Sequence, residues 1–270
     1  MCEGYTRVHG VNEALKYLTT ITIILASFIF KATAEPIQVR VAAYEYPPYY
    51  SENMPTHLVG EVIKALNQLQ QDYQFILEPI APNARYLALS ADGCCDLMLF
   101  EDVAWGWADE DIDLHVTKPL LVGRERFVAL KHPNRDQRFF EMKGLHFGGI
   151  VGYHYPFAAN EKDHRILEEK YGIYLGHSHR VNLQMLMNER LDLVMLSDEY
   201  LAAMVSDAVK RQLIISKKPY GVFNMTTVIN KNKNVDAHYV AKLIRHLKEN
   251  GKLNAIFKSF KLPAAIHTSD

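Results

Sequence analysis

Apolar positions in this chain recur with two different periods, and the switches between them mark its elements. Val39 to Ala43 is apolar enough for a buried strand, and a loop crowded with aromatics and prolines, Tyr44 to Pro55, follows it. Val59, Val62, Ile63, Leu66 and Leu69 then recur at the spacing of one helical face, so the helix they predict lies on a sheet. Tyr73 to Pro79 alternates as a second strand. Asn83 stands where it would cap a helix through Tyr86, Leu87 and Leu89, with Arg85 in the first turn and Asp92-Gly93 at the end. Asp96 to Phe100 is a short buried strand, and Leu120 to Lys131 an extended one that could cross between domains.

The pattern then starts over. His146 to Val151 is a strand opening into an aromatic loop, Gly152 to Pro156, with a helix from about Glu161 to Tyr171. Asn182 to Asn188 is helical and leads into Asp192 to Leu196, a strand much like Asp96 to Phe100. Leu201 to Lys210 is a further helix, Val222 to Asn230 a strand, and Val235 to Phe260 two helices broken at Asn250-Gly251. Two segments thus share one order of elements, which predicts two related lobes; solenoid arrays have shorter and more numerous units.

A strand followed by a loop and a packed helix leaves the loop at the strand's carboxyl edge, where open α/β sheets bind ligands. The first such loop holds Tyr44, Tyr46, Tyr49 and Tyr50, more ring area than a turn needs, and Pro47 and Pro48 stiffen it. It reads as a platform on which a ligand stacks.

Composition adds bounds. With 270 residues there is room for one large domain or two modest ones, and the 49% hydrophobic share fits a globular core. A net charge of -1 with 23% charged residues leaves no global field for nucleic acid or acidic membranes. Tyr17 to Phe30 is an uncharged apolar run between Lys16 and Lys31, shorter than a bilayer span needs, and Ala32-Thr33-Ala34 follows it as a small-x-small cleavage pattern. Residues 1–34 are therefore expected to be a signal peptide, which places the protein in the periplasm of a Gram-negative bacterium. Cys94 and Cys95 remain beyond it, and as neighbours they suggest two small buried residues opening a strand rather than a redox device, because a bond between them departs from usual disulfide geometry.

Several pieces together resemble the bacterial extracellular solute-binding proteins of family 3, which include the amino-acid receptors of ABC transporters. They are YEYPPYY with the helix containing Gly60, ARYLALSADGCCDLML, DLHVTKPL, GGIVGYHY, NERLDLVMLSDEY and HLKENGKLNAIFKSF, in that order over residues 37–262. The resemblance implies an α/β, two-lobed type II periplasmic-binding-protein fold with a ligand cleft between the lobes. Lobe 1 would be residues 35–122 plus 222–264, lobe 2 residues 123–221, and 265–270 a tail. It also implies ligand residues in the Tyr44 to Tyr50 loop, after Phe100, in the Gly152 loop and around Asp198. Amino-acid receptors of the family carry an arginine after the strand equivalent to Asp96 to Phe100, which clamps the ligand carboxylate. Glu101 to Asp111 has no arginine, which argues against a standard α-amino-acid ligand. The family's second-lobe aspartate, which holds the ligand amine, corresponds to Ser197, with Asp198 one position on.

The candidate ligand residues are accordingly Tyr44, Tyr46, Tyr50, Arg85, Glu101, Trp105, Trp107, Tyr153, His154, Ser197 and Asp198. Trp105 and Trp107 with Glu101 and Asp102 suggest a box for an amine, in which rings and carboxylates replace lost water; a solvated acidic loop would look the same. Arg85 could hold an anionic group or form a structural ion pair. Tyr153 and His154 sit where a strand turns toward a helix and backbone N–H groups are free. His177 and His179 would face one way on a strand, but no third metal ligand stands at a telling spacing, so no metal or other cofactor is expected. The leading expectation is a non-catalytic, monomeric receptor that closes on a small polar solute, amino-acid-like or amine, and serves an ABC permease or a membrane sensor. The alternatives are an enzyme on the same fold resembling the periplasmic cyclohexadienyl dehydratases, and a metal-ion receptor.

Overall fold

The computed structural model describes residues 35–265, so the expected signal segment lies outside the described residues. β1 (Ile37–Ala43) leads through the tyrosine loop to α1 (Leu58–Leu69), whose Leu58, Val59, Val62, Ile63 and Leu66 are buried on one face. β2 (Tyr73–Pro79), α2 (Arg85–Leu89) and β3 (Leu97–Glu101) complete the first pattern. Asn83 is not the cap of α2. Pro82 starts a 3-10 turn over Pro82–Ala84 that winds straight into the helix, leaving Ala84 at the cap position with no side-chain bond.

After β4 (Leu114–Val116) and β5 (Leu121–Leu130), the second pattern runs β6 (Phe147–Ile150), α3 (His164–Tyr171), β7 (Ile173–Gly176), α4 (His179–Met187), β8 (Leu193–Ser197), α5 (Asp198–Ala203), α6 (Asp207–Lys210) and β9 (Leu213–Ile215). β10 (Gly221–Asn230), α7 (Ala237–Glu249) and α8 (Lys252–Ser259) follow. In the first half β1 lies between β2 and β3, all parallel; in the second β6 lies between β7 and β8, again parallel. β5 and β10 pair antiparallel with each other, while β10 also pairs with β3 and β5 with β8, so these two long strands run from one half into the other. Burial follows the same division. One cluster joins Val41, Leu66, Leu97, Phe257 and their neighbours, and three smaller ones lie around β6, β8 and α4. In each half the central strand and its later partner (β1 with β3, β6 with β8) make a topological switch point, so four loops at their carboxyl ends are placed to hold a ligand.

Two local expectations are corrected. Cys94 and Cys95 form a disulfide with each other, with Cα atoms 3.8 Å apart. Cα atoms joined by a trans peptide are about that far apart, so bonding depends on which way the side chains leave the turn, and adjacency in sequence does not report that. The turn is closely held. Cys95 N–H donates to Ala88 O (2.9 Å), the Lys233 ammonium donates to Ala91 O (2.8 Å) and Gly93 O (2.7 Å), and a Cβ on Gly93 would stand 2.1 Å from Leu87 O. His177 and His179 do not share a strand face. Ser178 caps α4 by accepting from Val181 N–H, which puts His179 in the first helical turn, buried, while His177 stays exposed before it.

Candidate functional site

Tyr44 to Ser51 forms a tight turn in which Tyr46 N–H donates to Tyr50 O (2.8 Å) and Tyr50 N–H to Tyr46 O (3.1 Å). The turn presents Tyr44 and Tyr46 as stacked rings with centroids 6.3 Å apart and sets Tyr49 4.8 Å from Tyr46. Tyr50 turns away and packs edge-on against His57, 4.8 Å between centroids.

At the end of β3, Thr226 faces Glu101 and Thr227 faces Leu99, so Phe100 is the extra residue of a bulge, with φ 62. A non-glycine residue there costs about 1–2 kcal/mol, and a bulge re-aims the side chain that follows it. Glu101 is that side chain. It is buried and accepts from Tyr44 Oη (2.7 Å) and Trp107 Nε1 (2.8 Å). Burial lifts its pKa above the ordinary value, against the opposing pull of the Arg85 charge and these two hydrogen bonds. The acid of the predicted amine box is therefore committed to internal partners. Asp102 likewise accepts from the N–H groups of Ala104 (2.8 Å) and Asn224 (2.5 Å), which ties the loop to β10. Trp105 instead stands edge-on to Tyr46 at 5.8 Å.

Arg85, on α2, is only 2% exposed, and its guanidinium lies over the rings of Tyr44 (5.3 Å) and Tyr86 (5.1 Å). Its one short hydrogen bond, 2.6 Å, goes to Nδ1 of His154 in the other half of the molecule. Pro82 O and Tyr86 Oη accept only at 3.4 and 3.5 Å, and Nε has no partner.

The second half meets these groups through the loop after β6. Gly152 has φ +80, and a Cβ there would stand 2.9 Å from Asn83 N, so glycine suits both the backbone and the close approach. Tyr155 steadies the loop from behind: its Oη accepts from Ile150 N–H (2.5 Å) and donates to Ile150 O (3.2 Å). Tyr155→Phe is expected to cost about 1–2 kcal/mol, read from urea midpoints, because the buried N–H loses its acceptor. Tyr153 stands edge-on to both Tyr44 (6.3 Å) and Tyr46 (5.4 Å) and donates to Glu45 O (2.8 Å). Burial, then the charges of Arg85 and Lys162, pull the His154 pKa down to about 4, so the ring is neutral near pH 7. A guanidinium only donates. Nδ1 must therefore accept from Arg85, and the proton sits on Nε2, which faces Tyr86 Oη at 3.1 Å; Tyr86 in turn donates to Trp105 O.

Rings of Tyr44, Tyr46, Trp105 and Tyr153, with Arg85, His154 and Glu125, enclose a cavity of about 10 Å³. That is room for about one water molecule, so a solute enters only when the two halves part. A second cavity of about 220 Å³ shares Arg85, Tyr153 and His154 and adds Asn83, Lys162 and His164. A larger groove, about 560 Å³ between the β4–β5 connection and α7, contains none of the candidate residues.

Six of the predicted residues thus meet, namely Tyr44, Tyr46, Arg85, Trp105, Tyr153 and His154, with Glu101 and Trp107 directly behind them. Tyr50, Ser197 and Asp198 line neither of these two cavities. Ser197 caps α5 by accepting from Tyr200 N–H (3.0 Å), and Asp198 forms a two-pronged ion pair with Arg126 (2.5 and 3.1 Å). Glu125, Glu199 and Tyr86 are not among the candidates read from the sequence, and His179 is considered there only as a metal ligand paired with His177. Glu125 did leave a signal: it shares a strand face with Leu121 and Gly123, both buried, where an acid is out of place. His179 stacks on Tyr200 (5.0 Å) and contacts Tyr153 (5.5 Å), a placement that only the fold makes.

No protein-family model and no curated protein matches this chain. Solved structures do. An ancestral arginine-binding protein bound to arginine superposes with a TM-score of 0.63 at 16% identity, covering 84% of this chain and 99% of that one. The substrate-binding protein of an amino-acid ABC transporter gives 0.63 at 13%, covering 83% and 98%. The GluR0 ligand-binding core from Nostoc punctiforme, in complex with L-glutamate, gives 0.62 at 13%, covering 84% and 100%. At these identities the likeness is one of fold: the chain has the two-lobed type II periplasmic-binding-protein fold, with the cleft between its lobes.

Proposed function

We propose that this protein is a non-catalytic solute receptor whose lobes close over a small, carboxylate-bearing polar molecule. The observation that carries the reading is Arg85: a guanidinium 2% exposed, with an unpartnered Nε, in the wall of a cavity ringed by tyrosines from both lobes. A buried guanidinium held by one good hydrogen bond to a neutral histidine leaves two-pronged donor capacity that a carboxylate satisfies. Arg85 comes from α2, so it offers that group from a different element than the segment after Phe100, where the family resemblance places it. An amino-acid-like solute therefore fits this site through Arg85. The arginine and glutamate held by similar structures are in keeping with such a ligand.

The lobes are taken as residues 35–122 with 222–264, and 123–221, in line with the division of the apolar clusters. Hinge movement of β5 and β10 would open the cleft, and a membrane partner, an ABC permease or a sensor, would read the closed form. Among the described residues no helix is long and apolar enough to cross a membrane; the periplasm, reached through the 1–34 segment, is the compartment such a receptor occupies.

The test is a thermal-shift panel on the purified protein with L-arginine, L-lysine, L-glutamate, hexanoate and hexanamide. Carboxylates should stabilise it, by about 2.7 kcal/mol at a hundred times the dissociation constant, while hexanamide does not. The solutes should be recovered chemically unchanged. Equal stabilisation by hexanamide, or conversion of a solute, would overturn the proposal.

A further inference from the structure

Two buried carboxyls, one of them in the wall of the small cavity, have no use in carboxylate capture. Glu125, on β5, lines the small cavity, and its oxygens accept from Tyr46 Oη (3.4 Å) and from Tyr220 Oη. Glu199, in the first turn of α5, is 3% exposed, and its Oε2 has no partner. Glu199 Oε1 lies 3.8 Å from where a Cβ on Gly123 would stand, and Gly123 shares a strand face with Glu125. The Tyr49 hydroxyl completes the group: it is in a residue 2% exposed, makes no hydrogen bond, and feels the charges of Glu199 and Glu125 before any other.

Among the described residues no basic side chain forms an ion pair with either acid. Of the two arginines that flank Glu125 on β5, Arg124 is exposed, and Arg126, whose charge reaches Glu199, is hydrogen-bonded to Asp198 and to the carbonyls of Ser216 (2.9 Å) and Lys217 (2.7 Å); Arg85 acts on Glu101. Burial lifts both carboxyls to about 7, with only phenol or backbone and serine hydrogen bonds opposing it. Facing them are the phenols of Tyr46, Tyr49, Tyr153 and Tyr220 and the carboxylate of Asp198. Buried carboxylates without a counter-charge are costly, and tyrosine faces favour a cation in the same place. We propose that Glu125 and Glu199 form a cation subsite that takes an ammonium or guanidinium group of the solute, with Tyr49 Oη as a supporting hydrogen-bond partner. The subsite rests on the cleft being the place where solute binds, and it makes that solute one carrying both charges.

The test is calorimetric titration of wild type, Glu125→Gln and Glu199→Gln with L-lysine, cadaverine and hexanoate. Wild type should bind lysine at least tenfold more tightly than hexanoate, and bind cadaverine. Each glutamine variant should lose at least tenfold for lysine and cadaverine, and lose more for lysine than for hexanoate. Thermal melts at pH 8 no lower than wild type's would show that the isosteric variants fold. Lysine binding undiminished in both variants would overturn the subsite, leaving a bridging water between Tyr49 and Glu199, while the carboxylate cleft stands. Hexanoate binding with no gain for lysine would do the same. Silence of wild type toward all three probes would overturn the cleft and the subsite together.

Discussion

Arg85→Met is expected to abolish carboxylate binding and to lower stability by about 1–3 kcal/mol, the cost of leaving buried polar groups without the partner that answers them. Glu101 is the group left behind. It is buried behind the cavity wall, and the Arg85 charge is the strongest influence opposing that burial, so without the guanidinium its pKa climbs further. Tyr44 Oη and Trp107 Nε1 still donate to it, and a newly protonated Glu101 would compete with Tyr44 for the same proton position. His154 Nδ1 loses its donor at the same time. Because part of the loss comes from stranding Glu101, adding Glu101→Gln to the variant should recover stability without restoring binding. A double-mutant cycle of urea midpoints separates the two effects. A single Arg85→Met variant as stable as wild type would mean that the pair contributes nothing to the closed form.

What could be read in the sequence, and what could not, divides along a physical line. The helix face of Val59, Val62, Ile63 and Leu66 is a local period, and it is buried as the period requires. The aromatic loops after β1 and β6 were legible because strand-loop-helix order alone places them at the cleft, and Tyr44, Tyr46, Tyr153 and His154 meet there. The partners that commit an acid were not legible. Glu101 is taken by a tyrosine 57 residues away, and Asp198 by an arginine 72 residues away, so neither faces the cavity that its loop position suggests. Glu199 stands one residue beyond Asp198, and one residue on a helix is about 100° of rotation; the resemblance fixes the helix start but not which of the two acids turns inward. Gly93 and the Cys94–Cys95 bond show the same limit at a turn, where side-chain direction is set by backbone contacts with Leu87 and Ala88.

Glu199→Gln should make the protein more stable by an amount that grows with pH. In the unfolded chain this carboxyl loses its proton near 4.5, and in the folded protein burial delays the loss to about 7. Between those values the folded state holds more protons than the unfolded state, so wild-type stability falls as pH rises, by about 3 kcal/mol over the whole window. Glutamine carries no proton to lose and escapes that fall. His179 works in the opposite direction: burial lowers it from 6.5 to about 4, so its contribution is present above 6.5 and disappears as pH falls toward 4. In wild type the Glu199 slope opposes the histidine slope between about 4.5 and 6.5; in Glu199→Gln that falling limb is gone, and the limbs of Glu125, His154 and His179 remain common to both proteins. Urea midpoints of both proteins at pH 5, 6, 7 and 8 should therefore diverge by about 2–3 kcal/mol across the series. The same change removes Glu199's repulsion of Glu125 and lets the remaining acid ionise more readily, which widens the gap at high pH. Parallel curves would mean that Glu199 is ionised in the folded protein throughout, already answered by a charge or solvent; the acid pair would then have no standing demand for a cation.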